Sequence, residues 1–252
     1  MSNLNGTPMR ILVVVAHPDD IEFGVAGSVA RWTDEGAEVT YCIVTDGAAG
    51  SNAPDTDLAE LARTRQAEQR AAAAMVGVKD VRFLGYPDGI LVHTLELRRE
   101  LTRLIRELRP YRVVIMDPTV VLVDNFYINH PDHRAAAEAA LYATFPSAGT
   151  RPIFPELLTE GFEPHDVTEL YVNFSYTHDT YVDITNTIDR KIAALLCHKS
   201  QVGPEVGEMV RKWSAESGEK AGCTYAEEFR VMKLRDDAQP TPEEAAEKER
   251  AQ

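Results

Sequence analysis

Two short segments bring together the histidines and carboxylates of this chain that could do chemistry. The first, His17-Pro-Asp-Asp20, follows the apolar run Ile11–Val15, and the second, His130-Pro-Asp-His133, lies more than a hundred residues later. Neither segment is needed for folding. Zinc favours histidine nitrogen and carboxylate oxygen, and catalytic zinc sites typically combine three protein ligands with a water molecule. Together the two segments predict a mononuclear metal site with a general base beside it.

Three side chains are the candidate ligands, and a fourth is the candidate base. His17 and Asp20 are three residues apart, and they can converge if Asp20 lies in the first turn of the following helix. His133 would supply the third ligand from the second segment. Asp19 is then left free beside the metal. Its carboxylate could take a proton from the bound water, whose pKa zinc lowers towards about 7.

The second segment holds two further candidates. His130 lies three residues before His133 and would face the same cavity, where it could stabilise an oxyanion or protonate a leaving amine. Asp132 could bond to one of the histidines and fix its orientation. An aspartate pair after a strand is also typical of a helix N-terminus, and a histidine at a strand end is often only packed. The joint occurrence of the two segments favours the metal site.

The elements that must position these residues alternate between strands and helices. The predicted strands are Arg10–Ala16, Val39–Val44, Val81–Leu84 and Arg112–Met116, with Leu170–Phe174 and Tyr181–Ile184 as further candidates at one edge. The predicted helices are Ile21–Asp34, Leu58–Met75, Leu95–Leu108, Pro131–Ala143, Ile188–Lys199 and Val206–Ser217. This alternation predicts an α/β, Rossmann-like fold with a mostly parallel sheet flanked by helices on both faces. In such sheets, ligands bind at the carboxyl ends of the strands.

Composition limits the domain organisation and the partners. The chain has 252 residues, of which 44% are apolar, which fits a single domain over residues 1–235 followed by an acidic, disordered tail over 236–252. Lys and Arg total 26 against 40 Asp and Glu, and this acidity argues against nucleic-acid and anionic-membrane partners. The three cysteines show no paired spacing and no long apolar segment occurs, so we expect a cytoplasmic protein.

Beyond these arguments, the chain resembles the LmbE/PIG-L family of zinc-dependent N-acetylglucosaminyl deacetylases. The resemblance covers roughly Arg10 to Met232, and its paired histidine motifs are quite specific. The blocks that carry it are Ala16-His-Pro-Asp-Asp20 with Glu22 and Gly24, Thr45-Asp-Gly47, Arg65-Gln-Ala-Glu68, Leu84-Gly-Tyr-Pro-Asp-Gly89, His130-Pro-Asp-His133, His198-Lys-Ser-Gln201 and Tyr225-Ala-Glu-Glu-Phe-Arg230.

The resemblance implies a role for each residue of the two segments. By it, the ligands of one zinc ion per chain are His17, Asp20 and His133. Asp19 would be the general base, and His130 the electrostatic or acid catalyst. The implied reaction is hydrolysis of the acetamide of a small amino-sugar substrate, which releases acetate and a free amine.

The resemblance also implies two substrate-binding residues. Arg65 and Asp88 match positions that contact sugar hydroxyls, although Arg65 could be an exposed helix residue and Asp88 a turn former in Pro-Asp-Gly. Substrate choice would depend on the loops Pro118–Asn129 and Phe145–Pro164. Among soluble substrates we favour a thiol-sugar precursor. Members of the family often form trimers or hexamers, and an exposed apolar edge near the C-terminal helices would suit a homo-oligomer.

Two other functions compete with the deacetylase. A zinc amidase that cleaves a larger amide, such as a thiol-sugar S-conjugate, would use the same residues. A non-catalytic, Rossmann-like binding protein is the alternative from another class. The segment Gly24-Val-Ala-Gly27 lacks the Gly-x-Gly-x-x-Gly pattern of dinucleotide sites, and His17-Pro-Asp-Asp20 occupies the turn where that pattern belongs. The sequence therefore favours catalysis over cofactor binding.

Overall fold

The computed structural model describes residues 8–235, so the predicted tail over 236–252 lies outside the described residues. The strands are β1 (Arg10–Val15), β2 (Glu38–Thr45), β3 (Asp80–Tyr86), β4 (Arg112–Met116), β5 (Leu122–Val123), β6 (Tyr127–Ile128), β7 (Glu169–Asn173), β8 (Thr180–Asp183) and β9 (Ala226–Lys233). The helices are α1 (Asp20–Gly24), α2 (Ala26–Asp34), α3 (Leu58–Met75), α4 (Leu95–Leu108), α5 (Pro131–Tyr142), α6 (Glu156–Thr159), α7 (Ile188–Leu195) and α8 (Val206–Ala221).

Seven strands form one twisted sheet in the order β3-β2-β1-β4-β7-β9-β8, and β5 and β6 form a separate hairpin. Within this sheet, the adjacent strands β3, β2, β1, β4 and β7 run parallel to one another. Strand β9 is antiparallel to both of its neighbours, β7 and β8. The expected mostly parallel sheet is therefore confirmed, with β8 at one edge. The sequence pattern did not predict β9, which inserts between β7 and β8.

Alternating side chains of β1 pack into two hydrophobic cores, one on each face of the sheet. On one face, Ile11 and Val13 pack with residues of α2, α3 and α7, among them Trp32. On the other face, Leu12 and Val14 pack with residues of α4 and α5. Each fully buried side chain of this kind contributes roughly 1.5–3 kcal/mol of hydrophobic free energy. Because β1 is buried on both sides, its end is held rigidly where the site begins.

The helix predicted over Ile21–Asp34 is two helices, α1 and α2, with a break at Val25 (φ −129°, ψ 5°). Two contacts from distant parts of the chain explain the break. A Cβ atom on Gly24 would lie 2.4 Å from the Asn173 side-chain nitrogen, so a larger residue there would require that side chain to move. The Glu227 carboxylate accepts hydrogen bonds from the backbone N–H groups of Gly27 and Ser28, which begins a second helix.

The described helices also bear on membrane association. Within residues 8–235, no helix combines the length and the apolar character that crossing a bilayer requires.

Candidate active site

The first segment lies at the carboxyl end of β1 and turns sharply into α1. Asp20 is the first residue of that helix, as expected, and Asp19 precedes it with a positive φ of 94°. The side chain of Asp20 folds back, and its Oδ2 accepts a hydrogen bond of 2.8 Å from the backbone N–H of His17. This local bond fixes the Asp20 carboxylate beside the His17 ring.

The second segment begins α5, and it places His133 against Asp20. Pro131 occupies the first turn of the helix, where its missing N–H costs nothing. His133 Nε2 lies 3.0 Å from Asp20 Oδ1, and His17 Nδ1 lies 3.5 Å from Asp20 Oδ2. On its other side, His133 Nδ1 is 3.0 Å from Asn129 Oδ1, which orients the ring and directs Nε2 towards the site.

The three expected ligands fit a metal ion. Potential ligand atoms of His17, Asp20 and His133 all lie within 4.8 Å of one another. Two imidazole nitrogens and one carboxylate oxygen are a donor set that zinc prefers, and three protein ligands leave a coordination position for water. The residues present therefore match the group that the sequence predicted.

Asp19 lies beside this cluster without joining it. Its Oδ2 accepts a hydrogen bond of 3.2 Å from Arg65 Nη2, and its side chain is 15% exposed. Burial, together with the negative charge of Asp20, raises the pKa of Asp19 to about 7. A carboxylate with a pKa near neutrality is suited to accept and release a proton.

His130 is half-exposed at the rim, and its ring meets the ring of His17 edge-on at 4.7 Å. His130 Nδ1 accepts a hydrogen bond of 3.2 Å from the backbone N–H of Asp132. Burial and the neighbouring His17 lower the pKa of His130. A neutral ring whose Nδ1 is an acceptor carries its proton on Nε2. His130 therefore presents an N–H donor.

Asp132 is completely buried, and backbone groups occupy its oxygens. Oδ2 accepts a hydrogen bond of 2.7 Å from Gly89 N–H, and Oδ1 accepts one of 3.0 Å from Leu91 N–H. Oδ2 also lies 3.4 Å from His17 Nε2, the kind of contact expected from the sequence. Burial opposes ionisation, but these contacts hold the pKa of Asp132 below its usual range. Asp132 thus ties the loop that follows β3 to His17.

Arg65 and Asp88 both line the site. Arg65 is 4% exposed, so it is not the exposed helix residue that was the alternative. Its guanidinium donates to the carbonyl oxygens of Gly47 and Pro18 at 2.8 and 2.7 Å. Asp88 Oδ1 lies 3.1 Å from His17 Nε2. Burial again opposes ionisation, but His17 holds the pKa of Asp88 below its usual range.

Three buried polar residues lie behind Asp19, namely Glu22, Gln69 and His198, and none of them was predicted to act at the site. Glu22 and His198 occurred only as parts of family blocks, and Gln69 was not singled out. The available signal was the spacing between Arg65 and Gln69, which are four residues apart and so share one face of α3.

The β5–β6 hairpin leads directly into the second segment. Phe126 at its tip is 81% exposed, and Tyr127 is 45% exposed. The hairpin forms part of the loop predicted to govern substrate choice, and the contact with substrate stays a prediction. Asn129 follows the hairpin and contacts His133, so the hairpin is joined directly to the site.

Fold and site together define a class of protein. The carboxyl edge of a mostly parallel sheet holds a His₂Asp group that could bind a metal ion, with a free carboxylate on one side and an imidazole donor on the other. This arrangement is suited to hydrolysis assisted by a metal ion.

Comparisons with known proteins identify the family. Residues 12–144 match the family described as PIG-L, GlcNAc-PI de-N-acetylase. The chain is 33% identical to diacetylchitobiose deacetylase of Thermococcus kodakarensis over 88% of this chain and 83% of that protein. It is 28% identical to a probable N-acetyl-alpha-D-glucosaminyl L-malate deacetylase 2 of Bacillus anthracis over 90% and 96%. The chain belongs to the PIG-L family.

A solved structure agrees with this assignment. The N,N'-diacetylchitobiose deacetylase from Pyrococcus horikoshii superposes with a TM-score of 0.82 at 30% identity, covering 89% of this chain and 84% of that chain. The family resemblance, the fold class and the expectation of an N-deacetylase are thereby confirmed. The comparisons do not favour the non-catalytic binding protein.

Proposed function

We propose that the protein removes the acetyl group from an N-acetylglucosamine-type sugar or sugar conjugate, with one zinc ion held by His17, Asp20 and His133. The convergence of these three side chains, with Asp19 left free beside them, is the observation that carries the proposal. Zinc is favoured over harder cations because two of the three donors are imidazole nitrogens.

The reaction breaks the amide C–N bond and forms a C–O bond to water, giving acetate and a primary amine. When bound, zinc lowers the pKa of a water molecule and polarises the amide carbonyl. Asp19 takes a proton from the attacking water, and a pKa of about 7 also allows it to release that proton again. As a neutral ring, His130 donates a hydrogen bond from its Nε2–H to the developing oxyanion. Asp19 passes the proton that it took from water to the leaving amine.

The substrate class rests on what the relatives share. Their names include diacetylchitobiose, N-acetylglucosaminyl malate and an inositol glycoside of acetamido-deoxyglucose. Each of these compounds contains an N-acetylglucosamine-type unit. We therefore place that unit beside the metal, with sugar hydroxyls within reach of Arg65 and Asp88. The exposed aromatic residues Phe126 and Tyr127 would contact the variable second part of the substrate.

The test is release of primary amine and acetate from a panel of these compounds, with zinc-loaded and chelator-treated protein compared side by side. The panel contains diacetylchitobiose, N-acetylglucosaminyl malate, the inositol glycoside and a thiol-sugar S-conjugate. Zinc-dependent release of acetate from a sugar supports the proposal. Cleavage of the S-conjugate alone would replace it with the zinc amidase. Absence of turnover in zinc-loaded protein would refute it.

We further propose that residues 1–235 form one domain and that the chain works as a homo-oligomer in the cytoplasm. Met209 and Trp213 on α8 are partly exposed, which supports an apolar contact near the C-terminal helices. Cys42, Cys197 and Cys223 are free thiols, as a reducing compartment would keep them. Light scattering after size exclusion tests the assembly, since a monomer at micromolar concentration would contradict it.

A further inference from the structure

Asp19 has a backbone conformation that needs support. Its φ of 94° lies in the left-handed region, which residues other than glycine rarely adopt. Such strained residues persist only where the surrounding structure holds them in place. On the upstream side, Pro18 O accepts a hydrogen bond from Arg65. On the downstream side, Asp19 O accepts hydrogen bonds from the N–H groups of Glu22 and Phe23.

The N–H group of Asp19 itself is bound by a side chain from another helix. It donates to Gln69 Oε1 at 3.0 Å, and Gln69 lies on α3, fifty residues further along the chain. Gln69 is completely buried. A side-chain amide has an acceptor end and a donor end, so this contact forms only when the oxygen of Gln69 faces Asp19.

Glu22 determines which way the Gln69 amide points. Gln69 Nε2 donates to Glu22 Oε1 at 3.0 Å and lies 3.2 Å from Glu22 Oε2. Because both Glu22 oxygens accept from Gln69 Nε2, Glu22 binds the nitrogen end of the amide and leaves the oxygen end for Asp19.

His198 completes the chain of contacts from the far side. Its Nε2 lies 3.1 Å from Glu22 Oε2, within hydrogen-bond distance. Like Glu22 and Gln69, His198 is completely buried. A buried polar network costs desolvation free energy, and apolar residues of similar volume are often at least as stable in such places. A role in positioning the base gives a reason for this network.

We propose that Gln69, oriented by Glu22 and His198, is a positioning residue that holds Asp19 in the conformation from which it acts as the base. This inference rests on the proposed function, because it assumes that Asp19 exchanges the proton. It makes the reacting carboxylate depend on three residues that do not touch the substrate. The metal ligands do not depend on it, because Asp20 is held separately by the backbone of His17.

The main test variant is Gln69→Leu, which keeps the approximate volume and removes both ends of the amide. We expect kcat to fall by about tenfold to a hundredfold, since a misplacement near 1 Å can have that effect, with KM and the zinc content unchanged. The matched control is Thr102→Val, which removes a buried hydroxyl from α4 on the opposite face of the sheet. We expect this control to retain the wild-type kcat.

A second variant pair tests the orientation directly. Gln69→Glu alone sets two carboxylates against each other and should be at least as damaging as Gln69→Leu. The double variant Glu22→Gln with Gln69→Glu restores every contact in reversed order. The amide now at position 22 donates to the carboxylate at position 69 and accepts from His198, while that carboxylate accepts from the Asp19 N–H. We expect this double variant to recover kcat to within about fivefold of the wild type.

Amide exchange of Asp19 gives a readout that does not need turnover. The Asp19 N–H should be protected in the wild type and exchange at least about tenfold faster in Gln69→Leu, with protection restored in the double variant. Unchanged kcat in folded Gln69→Leu, or unchanged exchange at Asp19, would overturn the inference, as would loss of zinc with retained kcat per bound metal. If the wild type deacetylates no sugar, the proposed function fails, and the exchange data alone decide whether Gln69 holds Asp19.

Discussion

The first two helices both begin beside a carboxylate, and the two carboxylates differ in what their oxygens contact. At α2, Glu227 accepts hydrogen bonds from the N–H groups of Gly27 and Ser28 and from the ammonium of Lys191. At α1, the Asp19 side chain makes no bond to the start of its own helix. Its hydrogen bond within the described part of the chain comes from Arg65 alone.

This difference distinguishes Glu227, whose carboxylate stabilises the structure, from Asp19, whose carboxylate can take part in a reaction. Three fixed donors bind the two oxygens of Glu227, so this residue stabilises the helix start. Asp19 keeps an oxygen for a transferable proton because Gln69, and not its own carboxylate, binds the local N–H group. Asp132 resembles Glu227 in this respect, since two backbone groups bind its oxygens.

The largest expected effect is at the metal end of the site. His133→Ala removes one of three ligands, so we expect zinc content near zero and activity reduced by at least about four orders of magnitude. Metal analysis of the purified variant, together with the amine-release assay, measures both quantities. The matched control is His178→Ala, which removes a histidine paired with Glu228 outside the site. Retention of zinc by the His133 variant would mean that the ligand set is wrong.

Removal of the free carboxylate has the next largest effect. Asp19→Asn keeps the shape of the side chain, and asparagine tolerates positive φ, so the fold should survive. We expect kcat to fall by roughly two to four orders of magnitude, because an amide cannot accept the proton. Zinc content and KM should stay close to wild type. A fully active variant would show that Asp19 is not the base.

The contrast between these carboxylates was only partly predictable from the sequence. Continuous apolar runs identify β1, β2 and β4, and carboxyl ends of parallel strands meet at one edge of a sheet. That geometry is enough to bring Asp20 and His133 together and to leave Asp19 free. The sequence did not show whether Arg65 is exposed or what Asp88 contacts. Both depend on how the loops after β2 and β3 fold back over α3.

Elements that long-range contacts stabilise were not predictable. The strand β9 contains three charged residues in its first five and has weak alternation, so it is a strand only because β7 and β8 pair with it. The break between α1 and α2 likewise depends on Asn173 and Glu227, which are far away in the sequence. The support of Asp19 by Gln69 is of the same kind.

Because Glu227 stabilises the structure, we expect loss of its partner Lys191 to change stability and not turnover. Lys191→Met removes the buried ammonium that pairs with Glu227, and both side chains are almost fully buried. We expect the free energy of unfolding to fall by about 3 kcal/mol, since the buried carboxylate loses its counter-charge. Denaturant titration measures this change, and kcat of the folded fraction should not change.

The surface residue Lys212 offers the control for that experiment. It lies 3.9 Å from Glu216 and is largely exposed. Lys212→Met should change the stability by less than about 1 kcal/mol. If Lys191→Met and Lys212→Met lowered the free energy of unfolding equally, the buried Lys191–Glu227 pair would stabilise the protein no more than a surface pair does. A large loss of kcat in Lys191→Met would instead link α2 to the active site.

His130 and His165 allow a similar comparison for the pH dependence of stability. His130 has its Nε2–H at the rim without an acceptor among residues 8–235, whereas His165 donates its Nε2–H to Pro110 O at 2.8 Å. Burial lowers the pKa of His165 from 6.5 to about 4. Between these values the unfolded chain binds a proton that the folded protein does not, so stability increases with pH in that window.

The smallest expected effect follows from that difference. The contribution of neutral His165 is fully present above about pH 6.5 and is lost progressively as the pH falls to about 4. His165→Gln keeps a donor for Pro110 O but does not titrate, so its unfolding free energy should fall less steeply over the same range. The difference between the two slopes, measured by urea titration at several pH values, isolates His165 from the carboxylates that also titrate there. Parallel curves would show that His165 is protonated as readily in the folded protein as in the unfolded chain.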